Sequence, residues 1–231
     1  MNAYIIVEGS RTEMKVYPKW LDIIAPKLKR VYHPSDMVDN NYFLFSGGGI
    51  PSIYNHIANA VEDILEINSR GTHEIDYLIV CIDTEDETRE YILDQISAEL
   101  SNRSVKLGTL RLVVFEQKVS MESWFLANRK IFKNNPEDNA LRRYIEHYNV
   151  KEKDPELMES IDENQFSTKA QFHHAYLKKI FEERHISYSK SNPSEVCRED
   201  YLMQLIKRHS ETGHIASFGR WYDFFRTIPQ S

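Results

Sequence analysis

The chain has 231 residues, of which 41% are hydrophobic, 28% charged and 12% aromatic, enough apolar material for one large packed domain or one domain with a smaller appendage. Eight glycines and eight prolines exclude collagen-like and low-complexity designs, and two cysteines, Cys81 and Cys197, build neither a disulfide framework nor a zinc knuckle. No run approaches the roughly 18 apolar residues of a membrane span, and the opening Met-Asn-Ala-Tyr-Ile-Ile-Val-Glu lacks the basic start of a secretion signal. A soluble cytoplasmic protein with no membrane partner is the expectation. The net charge of −6 is uneven: residues 1–164 hold 19 Lys and Arg against 28 Asp and Glu, whereas residues 165–231 hold 10 against 7, with five of the nine His. An acidic first part with a mildly basic tail suits a carboxylate site beside a segment that contacts a polyanion, and a surplus of three charges is also what chance gives.

Tyr4-Ile5-Ile6-Val7 is a short apolar β-branched run that predicts a buried first strand. Glu8-Gly9-Ser10 ends it, and Met14, Tyr17, Leu21, Ile24 and Leu28 follow at helical spacing. A second strand is expected at Tyr42–Phe45, stopped by Gly47-Gly48-Gly49; Pro51 then suits a first helical turn before Ile53, Ile57, Ala60, Ile64 and Ile67. Asp76–Ile82 is the strongest buried-strand signal, ending at Asp83-Thr84-Glu85-Asp86-Glu87, with a helix carrying Tyr91, Ile92, Ile96 and Leu100 after it. A fourth strand from Leu110 to Phe115 leads to a helix from Met121 to Phe132. Strands alternating with crossover helices predict an α/β fold with a parallel sheet covered on both faces. The pattern stops near residue 132, so the division expected is an α/β catalytic domain over 1–132 and a helical extension over 133–231. In the extension, 149–164 reads as a loop or mobile segment, and helices are expected at 139–147, 168–184, 195–210 and 217–226.

In an open parallel sheet, ligands gather at the carboxyl ends of the strands. Here the first strand exits into Glu8, and the third into Asp83, Glu85, Asp86 and Glu87. Converging carboxylates repel one another unless protonated or bound to a cation, and an oxygen-only set favours Mg²⁺, Mn²⁺ or Ca²⁺ over zinc. Acids at such positions also compensate the dipole of the following helix. That reading is the better one for Asp86 and Glu87, and the metal reading is preferred for Glu8 and Asp83. The glycine run admits a phosphate to its backbone N–H groups or serves as a tight turn. It is not a P-loop, because no Gly-Lys-Ser/Thr follows. In the extension, His173, His174, Tyr176, Lys178, Lys179, Tyr188, Lys190, Arg208, His209, Arg220, Trp221 and Tyr222 interleave rings with bases, a composition suited to single-stranded nucleic acid. Ordinary amphipathic helices account better for the rings, with Phe172, Leu177, Phe181, Phe218, Trp221 and Phe225 as core; Lys190 and Arg220 stay as phosphate contacts. His173 and His174 are adjacent, so they point to different helix faces and form no metal-binding pair.

Tyr4-Ile5-Ile6-Val7-Glu8-Gly9 and Leu78-Ile79-Val80-Cys81-Ile82-Asp83-Thr84-Glu85 resemble the two acidic motifs of the TOPRIM domain, shared by topoisomerases, bacterial primases and the overcoming-lysogenization-defect (OLD) nucleases. Glu85 stands where that family usually has Asp, which leaves Glu85 and Asp86 as alternatives for the second acidic position. Ser10-Arg11-Thr12-Glu13 and Met121-Glu122-Ser123-Trp124-Phe125-Leu126 are similar to the small TOPRIM proteins of phage-defence loci, the RloB-like proteins and the effector nuclease of PARIS-type systems. The resemblance covers residues 3–128. It implies a Rossmann-like TOPRIM sheet and Mg²⁺-dependent (or Mn²⁺-dependent) phosphodiester cleavage of RNA such as tRNA, or of DNA, by a toxic effector of anti-phage defence. Glu8, Asp83 and Glu85 would be catalytic and hold the metal, with Glu8 alternatively a general acid/base. Glu13 is a further ligand or an acid at a helix start, and Glu122 a ligand to a second metal or a cap. Lys118 would sit near the phosphate, as in OLD-type nucleases, or be one more surface lysine; Arg11 joins Lys118, Lys190 and Arg220 as nucleic-acid contacts. The same resemblance implies a partner ATPase or sensor that restrains the effector, and release as a homo-oligomer. The alternative is a catalytically silent TOPRIM-like module that docks on such an ATPase. Topoisomerase or primase work is disfavoured, because 231 residues hold no tyrosine-bearing cleavage domain or zinc module.

Overall fold

A computed structural model describes residues 1–71, 73–161 and 164–228. Two compact units divide the chain: Met1–Ile82 with Glu87–Glu116 and the stretch from Phe224, and Asp83–Asp86 with Gln117–Asp223.

The first unit is built on a sheet of strands β1 (Ala3–Val7), β2 (Lys29–Val31), β3 (Asn41–Ser46), β4 (Tyr77–Asp83) and β5 (Arg111–Gln117), in the order β2-β3-β1-β4-β5. β1 pairs in parallel with both β3 and β4, and β2 in parallel with β3. Its helices are α1 (Glu13–Ile24), α2 (Ser52–Arg70) and α3 (Arg89–Asn102). The fold is α/β, a parallel sheet flanked by helices, as the alternation predicts. Side chains alternate across each strand. Tyr4 and Ile6 of β1 join Leu78, Val80 and Ile82 of β4 in one buried cluster with Ile53, Ile57, Val61 and Ile64 of α2 and Ile92 and Ile96 of α3. Ile5, Val7, Ile79 and Cys81 are buried as well, which is why both strands read as unbroken apolar runs. The Cys81 thiol, hydrogen-bonded to Tyr17 of α1, is pushed up to about 12 by its burial.

Two expectations for this unit change. The helical spacing runs on to Leu28, but α1 stops at Ile24, because Ala25 precedes Pro26 and takes φ −130°, ψ 63°. β2 is not legible in the sequence: Lys29, Arg30 and Val31 form a short edge strand, and charge is what such an edge carries.

The second unit is helical: α4 (Met121–Phe125), α5 (Asn139–His147), α6 (Lys169–Glu183), α7 (Glu199–Thr212) and most of α8 (Ala216–Arg226). α4 is shorter than the expected 121–132. Asn128 Oδ1 accepts from Lys130 N at 3.0 Å, a side-chain turn that competes with helix continuation. α7 starts later than the expected 195, because Cys197 N and Arg198 N donate back to Pro193 O and Glu195 O in a turn; Gly213 closes it in the left-handed conformation at φ 70°. Phe172, Leu177, Phe181, Phe218 and Trp221 are all buried. The segment from 149 is a loop with a single helical turn at Pro155–Leu157, and it is anchored. The guanidinium of Arg208, which is 1% exposed, donates to the carbonyls of Val150 (3.1 Å), Lys151 (2.6 Å) and Lys153 (2.8 Å). Arg208 is therefore no nucleic-acid contact. Among the described residues no helix is long and apolar enough to cross a membrane.

Candidate functional site

Neighbouring strands β1 and β4 both end in a carboxylate. Val7 lies opposite Cys81, and Glu8 N donates to Cys81 O at 3.1 Å, so the ladder holds the Glu8 backbone firmly. Asp83 is the last residue of β4. On the other side of β1, Ser46 Oγ donates to Glu8 O at 3.3 Å.

The Glu8-Gly9 turn is closed from within the first unit. Gly9 N donates to Glu13 Oε1 at 2.9 Å, and a Cβ at position 9 would land on the Glu13 carboxylate. Glu13 is buried at the start of α1, so it fixes the turn that presents Glu8, which favours a local structural role over that of a ligand. Gly9→Ala is expected to cost about 1–3 kcal/mol by overpacking against Glu13, read by urea denaturation of the sheet unit; an unchanged midpoint would show that the turn has room to give.

The glycine run after β3 reaches the same corner. Gly48 and Gly49 carry φ of 72° and 85°, a backbone that favours glycine. Glu8 Oε1 is the nearest neighbour of a Cβ placed on Gly49, at 3.9 Å. Tyr54, on the first turn of α2, is 8% exposed, and its hydroxyl is buried without a hydrogen-bond partner. Burial raises its pKa, with Tyr91, Glu8 and Glu87 adding to the effect. The sequence reading placed the glycines correctly after a strand and missed Tyr54; the available signal was an aromatic one helical turn beyond them.

In the second unit, Glu85 N donates to Val119 O at 2.9 Å, and Val119 N to Thr84 Oγ1 at 2.9 Å. Glu85 and Val119 both adopt left-handed backbone, φ 49° and 66°, costly for residues with a Cβ and most of all for a β-branched valine. The Glu85 side chain is exposed, as is Asp86, whose carboxylate lies 3.9 Å from Lys169 Nζ. Lys118 is exposed; its N–H donates to Ser217 Oγ at 3.2 Å. Arg11 and Arg220 are exposed too.

Glu122 lies buried at 2% exposure, with His174 Nδ1 at 3.3 Å and Lys190 Nζ at 3.6 Å. Lys190 thus pairs with an acid of its own chain. Burial alone would raise the Glu122 pKa, but the His174 hydrogen bond and the Lys190 charge outweigh it and bring it down to about 2. A carboxylate depressed in the folded state stabilises above its unfolded value, and that contribution is lost as pH falls toward 2. The unfolding free energy is therefore expected to drop between pH 4.5 and the acid limit, and Glu122→Gln should flatten this drop. Parallel stability–pH curves for the two proteins would refute the assignment. Beside it, Ser123 Oγ donates to His173 Nδ1 at 2.8 Å and His173 Nε2 donates to Met158 O at 2.8 Å. Both residues are fully buried, and burial lowers His173 to about 4. This serine–histidine pair, which the sequence does not announce, is a satisfied core network with no access for a substrate.

Among the described residues, no three His, Cys, Asp or Glu side chains are grouped as a metal cage. Two strand-end carboxylates still fit Mg²⁺, which takes one or two protein carboxylates and completes its octahedron with water and substrate phosphate oxygens. Comparison with the models of known protein families, with curated proteins and with solved structures finds no match to this chain.

Proposed function

We propose that the protein is a Mg²⁺-dependent (or Mn²⁺-dependent) nuclease of TOPRIM type, cleaving phosphodiester bonds of RNA or DNA in the cytoplasm as an effector of anti-phage defence. The observation that carries this reading is the pairing of β1 with β4, two hydrogen-bonded parallel strands that end in Glu8 and Asp83. In such sheets the carboxyl ends of the strands are where ligands bind. When bound, Mg²⁺ supplies charge neutralisation at the scissile phosphate and a water of lowered pKa. The chain's part is to hold the two carboxylates on rigid backbone, with Glu13 fixing the turn under Glu8. Glu8 also stands ready to take a proton as general base. Lys118 and Arg11 are exposed cations that suit phosphate contacts, and Glu85 or Asp86 would complete the acidic set. Lys190 suits that role less, because Glu122 neutralises it. Restraint by a larger ATPase partner, with release as a homo-oligomer, belongs to the same proposal.

The test is cleavage of total RNA and of plasmid DNA with MgCl₂ or MnCl₂, for the parent, Glu8→Gln and Asp83→Asn. Metal-dependent cleavage by the parent and its loss in both variants supports the reading; equal products from all three proteins overturn it. A silent module that docks on a partner ATPase is the second reading, favoured by the lack of a three-residue metal cage among the described residues.

A further inference from the structure

We infer that the Tyr54 hydroxyl and the Gly47–Gly49 loop form a seat for a non-bridging phosphate oxygen beside Glu8. The inference deepens the nuclease proposal and rests on it for the class of ligand, the phosphodiester backbone of a nucleic acid.

Three independent features of the first unit meet here. The Tyr54 hydroxyl is a buried donor without an acceptor, a state that costs about 1–3 kcal/mol and is relieved by any ligand oxygen that reaches it. The loop beside it is shaped for close approach: Gly48 and Gly49 hold positive φ, and nothing lies within 4 Å of a Cβ placed on Gly48. Glu8, the proposed metal-holding carboxylate, faces the same loop, with Oε1 at 3.9 Å from the Gly49 Cβ position.

The charges around Tyr54 decide what kind of ligand fits. Glu8 and Glu87 both act on its phenol, so a bare anion is repelled and a phosphate enters only with a divalent cation to offset them. A neutral phenol is the right donor in such a place: it gives a hydrogen bond without adding charge and without competing for the metal. The loop forms the wall that a side chain would otherwise fill. Gly47 N is tied to Val7 O at 2.8 Å, which fixes the wall to the end of β1. Tyr54 is thus a positioning residue for the phosphate.

Tyr54→Phe removes one oxygen and leaves the ring packed. The readouts are thermal midpoint and affinity for a short fluorescent single-stranded oligonucleotide, measured by anisotropy with CaCl₂ and without divalent ion. The expected result is a midpoint equal to or above the parent's, because the lost hydroxyl had no partner, with binding in CaCl₂ about tenfold weaker. Binding by the parent should fall when the divalent ion is left out. Equal affinity of variant and parent overturns the seat, and so does failure of the parent to bind. A lower midpoint in the variant also overturns it, since the hydroxyl would then be bonded within the free protein. Weakened binding in Tyr54→Phe without cleavage by the parent keeps the seat and removes the nuclease. Cleavage by the parent with unchanged KM in Tyr54→Phe keeps the nuclease and removes the seat.

Discussion

Glu8→Gln is expected to lower metal-dependent cleavage at least about a hundredfold, equivalent to about 2.7 kcal/mol of lost transition-state stabilisation, with the fold retained. Folding should survive because the bonds that hold this position are made by its backbone: the N–H to Cys81 O and the carbonyl to Ser46 Oγ. Glutamine keeps the side chain's length and removes its charge, so the loss reports on charge at the end of β1 and not on shape. Asp83→Asn should behave alike, and the double variant should cost little more than either, since two ligands of one cation act as a unit. Circular dichroism and thermal midpoint must accompany the assay. A Glu8→Gln protein that is folded and fully active would leave the β1 carboxylate with no chemical task.

Arg208→Met carries the largest expected effect on stability, a loss of about 3–5 kcal/mol from the helical unit. The wild-type guanidinium donates to the carbonyls of Val150, Lys151 and Lys153 and, through Nε, to His214 Nδ1 at 3.1 Å. Burial, with the nearby charge of Arg129, pulls it down to about 10, which leaves it ionised at neutral pH. Methionine fills the same space but offers no donors, so the carbonyls must either stay unsatisfied or turn the loop toward water. Arg208→Lys should lose less, because one ammonium serves some of these acceptors but lacks the planar fork that serves them together. Urea denaturation followed by tryptophan fluorescence, with amide exchange in 149–153, checks both variants. A change below about 1 kcal/mol for methionine would mean that the loop holds without its anchor.

Much of the sheet is legible in the sequence, and for a physical reason. Residues 77–82 are covered on both faces, so they read as an apolar run that nothing else imitates, and the carboxylates after β1 and β4 follow from where those runs stop. What stays hidden is whatever depends on partners distant in sequence. Arg208 carries the label of a surface base until three carbonyls some 55 residues away are seen to converge on it. Lys190 reads as a phosphate contact because the buried acid that meets it, Glu122, is 68 positions earlier. Tyr54 looks like one more aromatic on an amphipathic helix; its hydroxyl gains meaning only from the unpaired state in which the fold leaves it. The early stop of α1 was visible in principle, since Pro26 restricts the residue before it.

The closing stretch of the chain has a consequence for how the protein is made. Phe224 packs edge-on against Tyr77 and Phe115, with ring centroids 5.5 and 5.4 Å apart, inside the unit that begins at Met1. More than 100 residues separate Phe115 from these rings in sequence, so the early strands leave the ribosome long before the aromatics that cover them. Until residue 225 has emerged, that flank of the nascent sheet is bare. Slow, long-range closure of this kind is where a chaperone would find its longest window on the growing chain.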